Sequence, residues 1–318
     1  MKKFTKMWAI AACALFAGTA AVNAEDYTWK FVTAGDATTY AIRSDGSLWS
    51  WGWNEKGQGG NGVSERTATP TLADGNRVWK KAVGGKAYGF FLAEDGSLWA
   101  AGTHEGGVQG TNDGIDHKVL TRIGTDNDWA DMACSRFWGY SGFAIKTNGT
   151  LWAWGKNSAG QLGIGNTQAQ TAPVQVGADM DWKQVAAGCS SVLALKTDGS
   201  LWGWGFNMYS ELFGHEGKQL SPVRLGSETD WEQVVVIDFR AYAVKKDGTL
   251  WAWGDNANNL LGFNTPTEEE TTAEGNPVEV VTVPQITAPT HVTSIEGKVL
   301  TISGCENTLS VATGTDGV

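Results

Sequence analysis

Histidine, cysteine and proline are scarce in this 318-residue chain, at four, four and seven residues. The histidines, His104, His117, His215 and His291, stand far apart without metal-ligand spacing, so no metal centre and no cofactor is expected. Cys13 lies in an apolar N-terminal stretch, which leaves Cys134, Cys189 and Cys305. An odd number excludes a fully paired disulfide framework. These cysteines read as small buried hydrophobes, with a Cys134–Cys189 pair as the alternative. Basic charge is short as well: 24 Lys and Arg face 34 Asp and Glu, a net charge of −10. Such a chain lacks the electrostatic footprint of a nucleic-acid binder and is repelled by anionic membrane surfaces. Beyond the first 24 residues no apolar run is long enough to cross a bilayer.

Those first residues form a unit of their own. Lys2, Lys3 and Lys6 precede a stretch of small apolar residues, 7–22, and Val22-Asn23-Ala24 forms a cleavage site before Glu25. The stretch is shorter than the roughly 20 residues that span a membrane, so 1–24 reads as a secretory signal peptide. Lipidation at Cys13 is an alternative, on a box-like Ile10-Ala11-Ala12-Cys13. Removal of three lysines and no acid takes the charge from −10 to −13. The expected location is extracytoplasmic: secreted, periplasmic or at the cell surface.

What the chain has in excess is tryptophan, 17 in all. The segment DGSLWSWG at 45–52 returns as DGSLWAAG, NGTLWAWG, DGSLWGWG and DGTLWAWG, with turn glycines Gly46, Gly96, Gly149, Gly199 and Gly248 spaced by 50, 53, 50 and 49 residues. A second series, Trp29, Trp79, Trp129, Trp182 and Trp231, keeps step with it, and 14 of the 17 Trp fall on three repeat positions. Their abundance is therefore architectural. WGKNSAGQLGIG, from Trp154, aligns without a gap on WGWNEKGQGGNG, from Trp51. A nucleotide-binding loop would occur once and lead into a helix; this motif recurs and no amphipathic helix follows, so its glycines are turn residues.

Each copy reads as short strands. In the fourth, WKQVAAG (182–188) and SVLALKT (191–197) are joined through Asp198-Gly199, suited to a type I′ hairpin turn, to SLWGWG (200–205). PVQV (173–176) and PVRL (222–225) mark a fourth strand, whose proline suits a sheet edge. The fold class is all-β: a propeller of about 50-residue, four-stranded repeats. Six blades are expected, with five or a truncated seven as alternatives.

The D-G-x-L-W-x-W-G strand, the Asn that follows it (Asn54, Asn157, Asn207, Asn256) and the G-Q-L-G turn at 160–163 resemble the regulator of chromosome condensation repeat. The resemblance covers about 29–261 and implies a propeller, usually of seven blades. That family includes a nuclear guanine-nucleotide exchange factor and secreted bacterial binding proteins, some of them protein inhibitors. Where the family often has His at the start of the second strand, this chain has Thr38, Tyr88 and Ser191. The exchange activity does not carry over, because no exchange motif is present.

Three segments are thus expected: signal peptide 1–24, repeats 25–276, and 277–318 as a linker plus either a decayed last repeat or a C-terminal β-hairpin tail. Gly297 lies 49 residues after Gly248, as a sixth turn glycine would.

Positions shared by all copies are scaffold, which removes Asp45, Asp95, Asp198 and Asp247 from the catalytic candidates. The loops between first and second strands differ in every copy and would converge on one face. They carry Asp36, Lys86, Arg136, Phe137, Trp138, Tyr140, Asp238, Phe239 and Arg240. Aromatics beside arginine are the anchors that dominate protein interfaces. The expected function is non-catalytic recognition of a protein partner, or else of a glycan. A polysaccharide-active hydrolase or lyase is the rival, with Asp36 and Asp238 as its carboxylates. The acidic loop 264–277, with Glu268, Glu269, Glu270 and Glu274, reads as a solvated surface loop.

Overall fold

The computed structural model describes residues 28–136, 139–263, 269–271, 277–279, 285–305 and 308–314. The signal peptide, Phe137, Trp138 and most of the acidic loop lie outside them.

Five four-stranded antiparallel sheets follow one another along the chain. The first holds β1 (Trp29–Ala34), β2 (Thr38–Arg43), β3 (Leu48–Gly52) and β4 (Thr67–Asp74). The second holds β5 (Trp79–Gly84), β6 (Tyr88–Ala93), β7 (Leu98–Gly102) and β8 (His117–Arg122). The third holds β9 (Trp129–Cys134), β10 (Ser141–Lys146), β11 (Leu151–Gly155) and β12 (Gln170–Gln175). The fourth holds β13 (Trp182–Ala187), β14 (Ser191–Lys196), β15 (Leu201–Asn207) and β16 (Gly217–Arg224). In the fifth, β17 (Trp231–Ile237), β18 (Arg240–Lys245) and β19 (Leu250–Asp255) are completed only after an insertion that contains the pair β20 (Glu269–Thr271) and β21 (Pro277–Glu279). Its fourth strand is β22 (Gln285–His291), so part of the expected linker is blade. A last hairpin, β23 (Lys298–Cys305) with β24 (Thr308–Gly314), packs β23 against β17 and β18.

The chain is a β-propeller, and alternation along the third strand shows why its blades stack. Leu201 packs toward the fifth blade, among Leu225, Trp231 and Val234. Trp204, on the opposite face, packs toward the third among Phe143, Leu151 and Leu162. Its indole donates to the Gln161 carbonyl at 2.8 Å, as Trp154 does to Val108 at 2.7 Å and Trp253 to Glu211 at 2.8 Å. Gly163 lies under that ring with φ +70°, and a Cβ there would come within 2.8 Å of the indole. The glycine is needed both for the turn and for the next blade's tryptophan. The Asn after the third strand clips the turn, with Asn157 Oδ1 accepting from Leu162 N at 2.9 Å and its amide donating to the Asn166 and Gln168 carbonyls.

The hairpin turns differ from expectation. Gly199 N donates to the Lys196 carbonyl and Lys196 N to the Ser200 carbonyl. Gly199 alone has positive φ, +84°, and Asp198 does not. This is a type I turn closed by a glycine bulge, not a type I′ turn. Asp198 Oδ1 accepts from both Ser200 N and Ser200 Oγ, and the Ser200 hydroxyl accepts from the Trp202 indole. These bonds hold the Asp198 carboxyl below its usual pKa.

The last hairpin begins a sixth blade in a different register from the one expected. Val299 N donates to the Gly248 carbonyl at 2.9 Å, as Trp231 N does to Gly199 at 3.2 Å. Val299 therefore occupies the first-strand tryptophan position, and Gly297 is not the counterpart of Gly248.

No disulfide joins Cys134 to Cys189, so the alternative pairing does not form. Burial pushes the Cys134 thiol up to about 12.

Candidate functional site

At the end of each first strand the chain turns back through a short loop, and these loops abut around one rim. The first meets the second through Asp36 N and the Gly85 carbonyl at 3.5 Å. The Tyr88 hydroxyl reaches from the second blade to the Ser135 carbonyl of the third at 2.5 Å. Gly139 of the third blade lies against the Cys189 carbonyl of the fourth, and Cys189 N donates to Asp238 O of the fifth at 3.3 Å.

Asp36, Lys86, Arg136, Asp238 and Phe239 are half-buried on this rim. Tyr140 and Arg240 are buried beneath it, at 6% and 4% exposure, so these two support the rim and do not offer free contact area. Tyr140 stacks on Tyr88 at 5.9 Å between centroids. Arg240 Nη2 donates to Asp238 Oδ2 at 3.2 Å. The Asp238 carboxyl is raised by burial, against the lowering pull of Arg240, the Cys189 thiol and Arg136. Burial raises the Tyr88 and Tyr140 hydroxyls, and the charge of Asp36 adds to it. Phe137 and Trp138 lie outside the described residues.

Two rim residues carry backbone strain: Tyr140 has φ 44° and Asp238 φ 54°. Positive φ in a tyrosine is costly and persists only where its surroundings impose it, which is a feature of ligand-contacting segments.

The structure adds a neighbour that the loop comparison missed. Tyr209, in the turn after β15, stacks on Phe239 with centroids 4.9 Å apart, and Met208 beside it is 48% exposed. The signal was there to find, since Met208-Tyr209-Ser210 stands where the third copy has Ser158-Ala159-Gly160.

The opposite end of the blades is built the same way almost every time. First- and third-strand tryptophans meet edge to face, with centroids 6.0 to 6.3 Å apart in all five sheets. A cation from the end of the second strand lies over four of the five pairs: Arg43, Lys146, Lys196 and Lys245. The second blade has Ala93 there, and Arg77, from the preceding loop, covers Trp99 at 4.0 Å. Each lysine is clamped by two acids: Lys196 by Asp179 at 2.8 Å and Asp181 at 3.1 Å, and Lys146 and Lys245 likewise.

Among the described residues no group of three or more His, Cys, Asp or Glu is placed to hold a metal ion, and no helix is long and apolar enough to cross a membrane.

Models of the regulator of chromosome condensation (RCC1) repeat match residues 29–58, 45–92 and 148–195. These segments are RCC1 repeats. It is 30% identical over 163 residues to the ultraviolet-B receptor UVR8 of Arabidopsis thaliana, covering 50% of this chain and 37% of that protein. It is 27% identical over 150 residues to human Protein RCC2, covering 46% of this chain and 19% of the relative. The chain thus spans well under half the length of these curated relatives. Among solved structures, Prp20p of Saccharomyces cerevisiae superposes with a TM-score of 0.75 at 18% identity, over 92% of this chain and 70% of its own. Human WBSCR16 gives a TM-score of 0.69 at 15% identity, over 92% and 88%. These two likenesses bear on the fold.

Proposed function

We propose that this RCC1-repeat protein is a non-catalytic recognition module that binds a protein partner through the first-to-second-strand loops, and that it acts outside the cytoplasm after removal of residues 1–24. The observation that carries the reading is the contrast between the two ends of the blades. One end repeats a single construction, whereas the other brings five different loops to one rim, with Asp36, Lys86, Arg136, Asp238 and Phe239 half-buried along it. A rim fixed by blade packing loses little entropy on binding, and its Arg and aromatic groups are the types that anchor interfaces. The structural report on Prp20p describes its binding to Gsp1p and histones, and the yeast protein has also been solved with Kap60 bound. Protein recognition on this fold therefore has precedent, while the partner of this chain is its own matter.

The test is affinity capture from the envelope and surroundings of the native cell, using the mature chain. Its control replaces 136–140 by the shorter loop of the fourth copy. Capture of a protein that the control fails to retain supports the reading. A partner held equally by both removes that loop from the site. Retention of polysaccharide instead of protein favours the glycan reading, and turnover of it, lost in Asp36→Asn or Asp238→Asn, replaces recognition by hydrolase or lyase chemistry. N-terminal sequencing of the exported form is expected to start at Glu25.

A further inference from the structure

Glu211 breaks the repeat in a way that its neighbours make costly. The indole of the following blade marks its position, because Trp204 donates to the Gln161 carbonyl, Trp154 to Val108 and Trp253 to Glu211. The aligned residue is Gln58 in the first blade and Leu260 in the fifth, so every other blade holds a neutral side chain here. Glu211 is fully buried, as Gln58 is, and Gln161 nearly so.

The three polar residues do the same first job. Gln58 Oε1 accepts from Lys56 N at 3.1 Å, Gln161 Oε1 from Ala159 N at 2.9 Å, and Glu211 Oε2 from Tyr209 N at 2.8 Å. They differ at the second atom. In Gln161 it is an amide nitrogen that donates to the Gly139 carbonyl at 3.4 Å. In Glu211 it is an oxygen whose partner is the Ser191 hydroxyl at 3.4 Å, a long contact for a buried carboxylate. An ionised carboxylate has no donor, whereas a protonated one regains the donor that glutamine supplies.

We propose that Glu211 makes the turn between β15 and β16 a proton-gated element, closed on β14 when its carboxyl is protonated and loosened when it ionises. Among the described residues, the groups that bond to it are neutral: from β14 the Ser191 hydroxyl, and from its own turn the amides of Met208, Tyr209 and Glu211. From β19 the Trp253 indole holds the Glu211 main-chain carbonyl. Burial outweighs these hydrogen bonds and raises the carboxyl from 4.5 to about 7. The same turn carries Tyr209, whose ring stacks on Phe239 of the rim. The gate therefore sets the order of one edge of that rim, a consequence for binding that rests on the function proposed above. The gate itself does not depend on it.

The sign follows from the raised value. Stability from the protonated form is fully present below pH 4.5, declines as pH rises, and is spent above about pH 7. Urea unfolding of the full mature chain, wild type and Glu211→Gln, from pH 5 to pH 8 reads this out. Asp238 and the histidines are common to both proteins and cancel in the ratio. The wild-type folding constant relative to the variant's is expected to fall by about tenfold or more between pH 5 and pH 8. Hydrogen-exchange protection factors in 208–215, corrected for the base-catalysed rise in intrinsic exchange, should fall over the same range in the wild type only. A ratio that stays constant from pH 5 to pH 8 overturns the proposal. Should the variant not fold, a carboxyl-carbon NMR titration of the wild type decides: a glutamate midpoint near 7 supports the gate, and midpoints all in the ordinary range contradict it. Neither result depends on whether a partner binds the rim, so the gate and the recognition reading fail separately.

Discussion

The two ends of the blades teach different things. At the hairpin-turn end, one assembly is repeated: an Asp or Asn that caps the turn, a Ser or Thr relay to the third-strand indole, and a cation over an edge-to-face tryptophan pair. At the loop end, neighbouring blades meet through backbone contacts and through side chains that change from blade to blade. Repetition marks the residues that hold the ring, and departure from repetition marks those free to do something else. Substitutions at the first end should therefore change stability, and substitutions at the second should change binding.

The largest effect is expected from Trp204→Ala, which empties the contact between third and fourth blades and should cost about 3–5 kcal/mol in equilibrium unfolding. Trp51→Ala in the first blade sharpens the point. Its indole is half-buried where Trp204 is fully buried, so its loss should be clearly smaller, about 1–2 kcal/mol.

Next comes Lys196→Met, which keeps the apolar stem but removes the charge held over Trp182 and Trp202. Its side chain is only 10% exposed, unlike that of the Lys183–Glu232 pair, where the exposures are 37% and 45%. A loss of about 1–2 kcal/mol is expected for Lys196→Met, against under about 0.5 kcal/mol for Lys183→Met. Burial alone would lower the Lys196 pKa, but hydrogen bonds to Asp179 and Asp181 outweigh it and the net shift is upward from 10.5. The contribution is thus present at neutral pH and is lost only as pH climbs above about 10.5.

At the turn itself, Asp198→Ala should cost about 1 kcal/mol from the lost turn bonds. The Asp198 carboxyl is held below 3.8 chiefly by the Ser200 hydroxyl and amide. Its contribution is present above that pH and is lost as pH falls through the lowered folded value, so wild type and variant should converge in acid.

Much of the fold was legible because it is local and repeated. Asp198-Gly199 and Leu201-Trp202 declare a hairpin within a few residues, and five copies in step leave little choice of architecture. The sixth blade was harder to read because its guide residue is absent. Val299 stands where Trp231 would, and an insertion between β19 and β22 breaks the spacing, so counting 49 residues from Gly248 landed on the wrong glycine. The lysine clamps also escaped notice, since Lys196 meets Asp179 across 17 residues and only the fold joins them. At the rim, sequence placed the loops but not their depth. Tyr140 and Arg240 look like the best contact residues by type, yet both point into the support beneath, because Tyr88 and Asp238 offer them partners there.

The central claim, that the loop end recognises and the turn end supports, is tested most directly by one affinity measurement on the captured partner. It sets the double variant Lys86→Glu/Arg136→Glu beside Lys196→Met, with both proteins shown to be folded. The account expects the rim variant to lose at least about tenfold in affinity, a cost of about 1.4 kcal/mol, while Lys196→Met binds as the wild type does. Unchanged binding by the rim variant, with affinity lost in Lys196→Met, would contradict it.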